Sequence, residues 1–188
     1  MLYWRWNKKI SKVICEHLID EMQSVELKPA ETIQWNQEHK VDDYVRNNKS
    51  FYAEKNHWFE GILYNHMRYA NMSLKLNYDV TSCESLQYTV YNVGNYQKWH
   101  NDHEMFHNAF GTNEVRKFTA ICLISDPNDF EGGQLQMKKT DGTEIDENLL
   151  CEQGDIIVFP SYIFHQVTPI TKGTRITAVQ WFTGPAFK

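Results

Sequence analysis

Short segments with the residue pattern of β-strands follow one another along the second half of the chain. The predicted strands run from 74 to 78, 86 to 92, 117 to 125, 134 to 138, 156 to 159, 164 to 168 and 174 to 182. Turn-forming clusters such as Asp126-Pro127-Asn128 and Gln153-Gly154-Asp155 separate several of them. Strands this short and numerous bury a core by pairing into antiparallel sheets that pack face to face. We therefore predict an antiparallel β-sandwich.

The part of the chain that precedes these strands has a helical pattern. Apolar residues recur at helical spacing from Asn7 to Gln23 and again from Tyr52 to Ala70, and a short strand is predicted from Glu31 to Trp35. A chain of 188 residues buries one substantial core more readily than two. We predict a single mainly β (α+β) domain over 1–188, in which 1–72 support a jelly-roll core formed by 73–188.

Composition and charge exclude several classes of function. The formal net charge is −5 and no basic block occurs, which disfavours nonspecific binding of nucleic acid. The four cysteines are widely spaced without a C-x-x-C pair, so reduced structural thiols are expected. Neither a secretory signal nor a run of membrane-spanning length is found. We expect a soluble, cytoplasmic protein without a membrane partner, and the sequence predicts no oligomeric state.

The triplet His100-Asn101-Asp102 is the first candidate for metal binding. In an extended strand residues i and i+2 point to the same side, so His100 and Asp102 can converge on one ion. His165 follows the apolar run Ile156 to Phe159, and a second strand can bring it to the same place. Two histidines and one carboxylate on one face of a metal leave other positions open, which is the ligand set of oxygen-activating non-heme Fe(II) sites.

Arg175 lies at the start of the last predicted strand. Alternation along this strand places Arg175, Thr177, Val179 and Trp181 on one face. A guanidinium on such a packed face requires an anion, because an unpaired buried charge is strongly unfavourable. The planar fork of arginine suits a carboxylate. We therefore predict that Arg175 binds an acidic co-substrate beside the metal.

A different motif, His103-Glu104-Met105-Phe106-His107, overlaps the first. H-E-x-x-H on a helix places two histidines one turn apart for zinc, with the glutamate as the general base of a metallopeptidase. Glu114 or Glu131 is the available third ligand. A zinc metallopeptidase is thus the alternative enzyme class, and a polar loop after the first ligand strand is the simpler interpretation of the segment.

Three blocks of the chain, in order, resemble the prolyl-4-hydroxylase-like and PKHD-type Fe(II)/2-oxoglutarate dioxygenases. The resemblance covers roughly Gln87 to Pro185 and is strongest in the blocks Tyr91 to Asp102, Ala120 to Leu135 and Gly154 to Trp181. It implies a double-stranded β-helix with His100, Asp102 and His165 as iron ligands and catalytic residues. It further implies that Arg175 binds the distal carboxylate of 2-oxoglutarate, and that Tyr91, Leu135 and Thr177 line the co-substrate pocket.

The same resemblance implies an activity. Fe(II), 2-oxoglutarate and O2 would be required, with ascorbate as a further family expectation. Hydroxylation of a prolyl residue in a peptide or protein, or of a small molecule, would yield succinate and CO2. The same barrel also serves as a non-catalytic, cupin-like binding module, which is the alternative outside the enzymes.

The chain departs from the family pattern at two positions. Leu123 stands where many prolyl hydroxylases have a tyrosine that helps to hold the distal carboxylate, and Gln97 stands where a tyrosine three residues before the first ligand is usual. No role is assigned to Tyr96. The polar segment 103–116 is predicted to be a lid, and Trp99 is predicted to border the substrate entrance.

Overall fold

The computed structural model describes residues 2–23, 25–30, 32–33, 39–40, 46–103, 105–107, 113–145 and 147–186. Within these ranges the helices are α1 (Lys12–Gln23), α2 (Trp58–Ser73) and the 3-10 helix η1 (Pro127–Asp129). The strands are β1 (Trp4–Trp6), β2 (Lys28–Pro29), β3 (Thr32–Ile33), β4 (His39–Lys40), β5 (Lys49–Tyr52), β6 (Ser82–Cys83), β7 (Gln87–Tyr91), β8 (Gln97–His100), β9 (Met105–His107), β10 (Asn113–Leu123), β11 (Phe130–Gly132), β12 (Leu135–Met137), β13 (Ile156–Pro160), β14 (His165–Val167), β15 (Ile170–Gly173) and β16 (Arg175–Pro185).

One large sheet and one small sheet form the sandwich. The large sheet has the order β1-β13-β10-β16-β7-β5-β2, with β6 beside β16 and β9 beside β10. The small sheet has the order β12-β14-β8. Strand pairs in the described ranges are all antiparallel. The prediction of a mainly β jelly roll with antiparallel sheets is therefore confirmed.

Alternating residues of the large sheet divide between two cores. On β10, Phe118 and Ala120 pack with the helices, whereas Ile121 and Leu123 point into the space between the sheets. The helix side of the sheet buries α1 and α2 residues such as Leu18 and Leu63. Because successive side chains of a strand point to opposite faces, the sheet carries a purely structural core on one side and leaves the other side for a cavity.

Both helices begin later than the periodicity predicts. Residues Trp4–Trp6 form the edge strand β1 against β13, so α1 begins at Lys12 and not at Asn7. Residues Lys49–Tyr52 pair with β7 as β5, so α2 begins at Trp58, where the His57 ring accepts a hydrogen bond from the backbone N–H of Phe59. Neither helix in the described ranges has the length and apolar character that a membrane crossing requires.

Two local predictions differ from the structure, and a third lies only partly within the described residues. The segment 74–78 is not a strand, because Lys75 and Asn77 have left-handed backbone conformations with φ of 56° and 51°. Strands β11 and β15, which pair with each other near Gly132 and Gly173, are absent from the predicted strands. Of the strand predicted from Glu31 to Trp35, only Thr32–Ile33 lies within the described residues, where it forms β3.

Candidate metal centre and co-substrate cavity

His100, Asp102 and His165 meet between the two sheets. One ligand atom of each lies within 4.8 Å of the other two. The Asp102 carboxylate oxygens are 3.5 Å from Nε2 of His100 and 3.5 Å from Nε2 of His165, and the two imidazole centroids are 4.1 Å apart. The three side chains, one of them more than 60 residues from the other two in the sequence, thus present two imidazole nitrogens and one carboxylate oxygen to a common point.

The small sheet positions these three residues. His100 at the end of β8 lies directly opposite His165 at the start of β14. Asp102 follows β8, and its backbone N–H donates to the carbonyl oxygen of Ser161 at 2.8 Å. Neighbouring strands are about 5 Å apart, so a cross-strand pair places two imidazoles within reach of one ion.

Backbone carbonyls select the tautomer of both histidines. Nδ1 of His100 is 2.7 Å from the carbonyl oxygen of Lys98, and Nδ1 of His165 is 3.0 Å from that of Ile163. A carbonyl only accepts, so each Nδ1 carries the proton and donates it. The lone pair of each Nε2 is therefore left facing Asp102, the arrangement that neutral imidazole ligands need.

The surroundings of the ligands also favour the protonation states that bind a cation. Burial and the neighbouring His100 lower the pKa of His165 to about 4, so its ring is neutral near pH 7. Burial opposes ionisation of Asp102, but the adjacent His165 and His100 side chains outweigh it and hold the pKa of this carboxyl well below its usual range. An anionic carboxylate and a neutral imidazole thus coexist in the absence of metal.

A buried hydroxyl, in contact with a second one, holds the Asp102 carboxylate. Oγ1 of Thr119 donates to Oδ2 of Asp102 at 2.8 Å and lies 3.1 Å from Oγ of Ser161. Both Thr119 and Ser161 are fully buried. A threonine in a strand is common, so nothing in the sequence singles out Thr119 as a partner of the metal ligand.

Arg175 lies at the other end of the same space. It is 2% exposed, stands opposite Tyr91 across the β16–β7 pair, and its Cζ is 5.5 Å from the centre of the Tyr91 ring. Burial lowers the pKa of Arg175 to about 10, which leaves it charged near pH 7. Its Nη2 is buried without a hydrogen-bond partner among the described residues. This orphaned donor indicates that an anion completes the site.

A glycine makes room for the arginine side chain. A Cβ built on Gly133 would lie 2.7 Å from Cδ of Arg175 and would also overlap Ile170, and the backbone φ of +62° at Gly133 is itself left-handed. Any side chain here would push against the Arg175 stem. The Gly132-Gly133 pair is therefore more than a turn between β11 and β12.

One cavity of about 1230 Å³ connects the two ends. Its lining includes the seven residues that the resemblance assigns to the metal or the co-substrate, namely Tyr91, His100, Asp102, Leu135, His165, Arg175 and Thr177, whereas Trp99 is not part of the lining. Leu135 is fully buried and Thr177 is 2% exposed. The predicted alternation along β16 is confirmed, because Val179 and Trp181 line the cavity too.

The residues fit the groups that the resemblance implies. Two neutral imidazoles and one carboxylate, with their outer atoms already hydrogen-bonded, are a donor set that suits Fe(II). The unsatisfied guanidinium donor of Arg175 suits a carboxylate. A keto-diacid has a chelating end and a distal carboxylate, and the cavity offers a partner for each.

The zinc prediction for the H-E-x-x-H segment is wrong. Residues Met105–His107 form the strand β9, which pairs with β10, and they do not form the helix that this motif requires. His103 lies before this strand, with Nδ1 3.4 Å from the carbonyl oxygen of Arg116. Six of the fourteen residues of the predicted lid, 104 and 108–112, lie outside the described residues, so its role stays a prediction.

A sandwich of this topology with two histidines and an aspartate in its cavity defines the class of double-stranded β-helix iron oxygenases. The sequence model of the 2OG-Fe(II) oxygenase superfamily matches residues 86–183, just over half of the chain. The chain belongs to this superfamily. The matched region contains the metal-binding candidates, Arg175 and the strands that carry them.

Curated relatives are similar over shorter stretches. A PKHD-type hydroxylase of Paraburkholderia phytofirmans is 43% identical over 69 residues, which is 36% of this chain and 29% of that protein. A PKHD-type hydroxylase of Gloeothece citriformis is 33% identical over 97 residues, 52% of this chain and 41% of that protein. The aligned parts thus span less than half the length of these relatives.

Solved structures share the fold over nearly the whole chain. A prolyl-4-hydroxylase of Pseudomonas putida has a TM-score of 0.68 at 21% identity, covering 96% of this chain and 91% of that one. The 2OG complex of a viral collagen prolyl hydroxylase from Paramecium bursaria Chlorella virus-1 has a TM-score of 0.69 at 20% identity, covering 98% and 97%. At this identity the similarity establishes the double-stranded β-helix fold.

Proposed function

We propose that the chain is an Fe(II)- and 2-oxoglutarate-dependent hydroxylase. His100, Asp102 and His165 would hold the metal, and Arg175 would bind the distal carboxylate of 2-oxoglutarate. The observation that carries the proposal is one cavity with three converging ligand atoms at one end and an unsatisfied buried guanidinium at the other. Bound Fe(II) supplies the dioxygen chemistry in which 2-oxoglutarate is converted to succinate and CO2 while one oxygen atom enters a substrate C–H bond.

The residues at the metal end keep the ligands in place before any metal binds. Lys98 and Ile163 carbonyls fix the two imidazole rings, and Thr119 fixes the carboxylate. Such outer hydrogen bonds typically change metal affinity by about 10-fold to 100-fold. The ligands therefore need little rearrangement to bind a cation.

The residues at the arginine end select the length and charge of the co-substrate. Arg175 supplies the charged donor, and Tyr91, Leu135 and Thr177 form the walls around it. Leu135 and Thr177 are almost completely buried, which excludes water from this end of the cavity. A 2-oxo acid without a distal carboxylate would leave the guanidinium unpaired.

A prolyl residue in a peptide, or a small molecule, is the proposed substrate. The relatives named PKHD-type hydroxylases and the prolyl hydroxylase neighbours support this range. One neighbour is a prolyl hydroxylase from Trichoplax adhaerens in complex with a peptide fragment of hypoxia inducible factor. The cavity of about 1230 Å³ has room for a co-substrate and part of a substrate together. Ascorbate would serve to keep the iron reduced.

The proposal is tested by turnover of 2-oxoglutarate labelled at C1. Purified protein with Fe(II) and ascorbate in air should release labelled CO2 and an equal amount of succinate, slowly alone and faster with a true substrate. A library of peptides and metabolites, screened for a mass gain of one oxygen atom, identifies that substrate.

The Asp102→Ala variant is the control for this assay, because it should bring CO2 release down to the level of free iron. Binding of 2-oxoglutarate without any CO2 release, with or without the library, would instead identify a binding module without catalysis. Equal CO2 release by wild type and Asp102→Ala would remove the proposed metal centre from the reaction.

A further inference from the structure

Gln97 faces the metal site because β8 contains a bulge. His100 lies opposite His165 and Gln97 lies opposite Val167, so three steps along β8 match two steps along β14. In a regular strand, residues three apart point to opposite faces. The extra residue reverses this and places Gln97 on the same face as His100, where it lines the cavity.

The orientation of the Gln97 amide follows from the tautomer of His100. Nδ1 of His100 donates to the Lys98 carbonyl, so its Nε2 has a lone pair and no proton. Nε2 of Gln97 is 2.9 Å from that atom and must donate to it. The other end of the amide, Oε1, then accepts from the Tyr91 hydroxyl at 3.0 Å. Both contacts agree on one orientation.

Metal binding removes the acceptor of this amide. The lone pair on Nε2 of His100 is the one that a cation would take, so the Gln97 N–H would lose its partner. Tyr91 still holds Oε1 and keeps the amide aimed at the same place. A donor left without a partner in a partly buried site costs free energy, so an incoming acceptor at the metal is favoured.

The Tyr91–Gln97 pair also reaches the arginine end. Tyr91 lies opposite Arg175 in the strand pairing and its ring packs against the guanidinium. The pair therefore extends along the cavity wall from the residue that takes the distal carboxylate to the residues that hold the metal. An elongated keto-diacid bound to both ends would pass along this wall.

We propose that Gln97 is a positioning residue for the co-substrate: its amide, held by Tyr91, donates a hydrogen bond to an oxygen of the chelating end of 2-oxoglutarate. The proposal rests on the proposed function. Gln97 stands three residues before His100, where the resemblance leads us to expect a tyrosine.

The test separates metal affinity from co-substrate affinity. Under anaerobic conditions, calorimetry measures binding of Fe(II) alone and then binding of 2-oxoglutarate to the metal-loaded protein. Gln97→Leu should bind 2-oxoglutarate about tenfold more weakly, the usual effect of losing a hydrogen bond to a charged group. Its Fe(II) affinity should equal or exceed that of wild type, because the hydrogen bond to His100 competes with the metal. Retained Fe(II) affinity also shows that the variant is folded.

A double-mutant cycle tests the role of Tyr91. Tyr91→Phe removes only the hydroxyl that holds Gln97, so it should weaken 2-oxoglutarate binding less than Gln97→Leu does. The double variant should be no weaker than Gln97→Leu alone. Gln97→Glu, which is nearly isosteric but places an acceptor and a negative charge at the site, should lose at least as much affinity as the leucine variant.

The outcomes distinguish this proposal from the proposed function. If metal-loaded wild type fails to bind 2-oxoglutarate, the proposed function itself is wrong. If wild type binds it and Gln97→Leu binds it equally well, the role of Gln97 is overturned while the function stands. A parallel loss of Fe(II) affinity in Gln97→Leu would show that the residue acts only on His100, which also overturns the proposal.

Discussion

At the metal end of the cavity, protein groups already satisfy the polar atoms that do not face the ligand site, whereas at the arginine end a buried donor has no partner. His100 and His165 donate to backbone carbonyls, and Asp102 accepts from Thr119. Nη2 of Arg175 has no partner among the described residues. The metal end is thus organised in advance, and the arginine end requires an anion to be complete.

The two ends also differ in the elements that carry them. The metal ligands lie on β8 and β14, short strands of the small sheet, and on the loop after β8. Arg175 lies on β16, an 11-residue strand in the middle of the large sheet. A cross-strand pair and a loop position the metal ligands, whereas regular alternation positions the arginine. Removing a residue at one end should therefore affect one binding step and leave the other nearly unchanged.

The largest effect is expected at the metal end. Asp102→Ala removes the only carboxylate of the triad, and Fe(II) affinity should fall by more than about 100-fold, since even the outer partners of metal ligands typically contribute 10-fold to 100-fold. Anaerobic calorimetry with Fe(II) measures this. The matched control is Asp20→Ala, an exposed aspartate on α1, which should bind Fe(II) like wild type. Wild-type affinity in Asp102→Ala would show that the metal binds elsewhere.

The next effect is expected at the arginine end. Arg175→Met keeps an unbranched stem about as long as the arginine chain up to Nε but removes the guanidinium and its charge, and the affinity of metal-loaded protein for 2-oxoglutarate should fall about 100-fold. Fe(II) affinity should stay within about twofold of wild type, because among the described contacts no hydrogen bond or ion pair joins the guanidinium to the triad. Arg175→Lys keeps a point charge without the planar fork. Its affinity for 2-oxoglutarate should lie between those of wild type and Arg175→Met. A large loss of Fe(II) affinity in Arg175→Met would mean that the two ends are not separable.

A smaller effect on Fe(II) affinity is expected from Thr119, which lies at the metal end. Thr119→Val has nearly the same shape but lacks the hydroxyl, so the Asp102 carboxylate loses a partner and Fe(II) affinity should fall about tenfold. Thr119→Ser keeps the hydroxyl and should retain most of the affinity. The contrast between these two variants in a metal titration separates the hydrogen bond from packing, and equal affinities would assign Thr119 to packing alone.

The smallest effect is expected from the glycine beneath Arg175. Gly133→Ala would crowd the arginine stem, and 2-oxoglutarate affinity should fall roughly fivefold from the resulting shift of the side chain. Gly142→Ala is the control, since Gly142 also has a positive φ of +87° but no atom within 4 Å of an added Cβ. Thermal unfolding should report destabilisation in both variants, and only Gly133→Ala should alter co-substrate binding. Equal binding by the two variants would remove the role assigned to Gly133.

Residue alternation predicts much of this site from the sequence. Arg175, Thr177, Val179 and Trp181 alternate along β16 and line the cavity together, as predicted. His100 and Asp102 also line the cavity, although Asp102 lies in the loop after β8. Strand pairing determines which side chains from different strands meet, and alternation alone does not predict this. The cross-strand position of His165 opposite His100 depends on the topology of the small sheet, which no local pattern specifies.

Departures from regular geometry explain what the sequence does not predict. Alternation places Gln97 away from His100, and only the bulge in β8 brings them to one side. Trp4–Trp6 is too short to show a strand period, so its pairing with β13 is visible only in three dimensions. Left-handed residues such as Lys75 interrupt a segment whose composition favours a strand.

The central claim is that the two ends of one cavity bind the two ends of one keto-diacid. The most direct measurement compares binding of 2-oxoglutarate and 2-oxobutyrate, which lacks the distal carboxylate, to Fe(II)-loaded wild type and Arg175→Met without oxygen. Wild type should prefer 2-oxoglutarate by about 100-fold, and the variant should bind both ligands with nearly equal affinity. An unchanged preference in Arg175→Met would contradict the account, because the distal carboxylate would then be bound by another group.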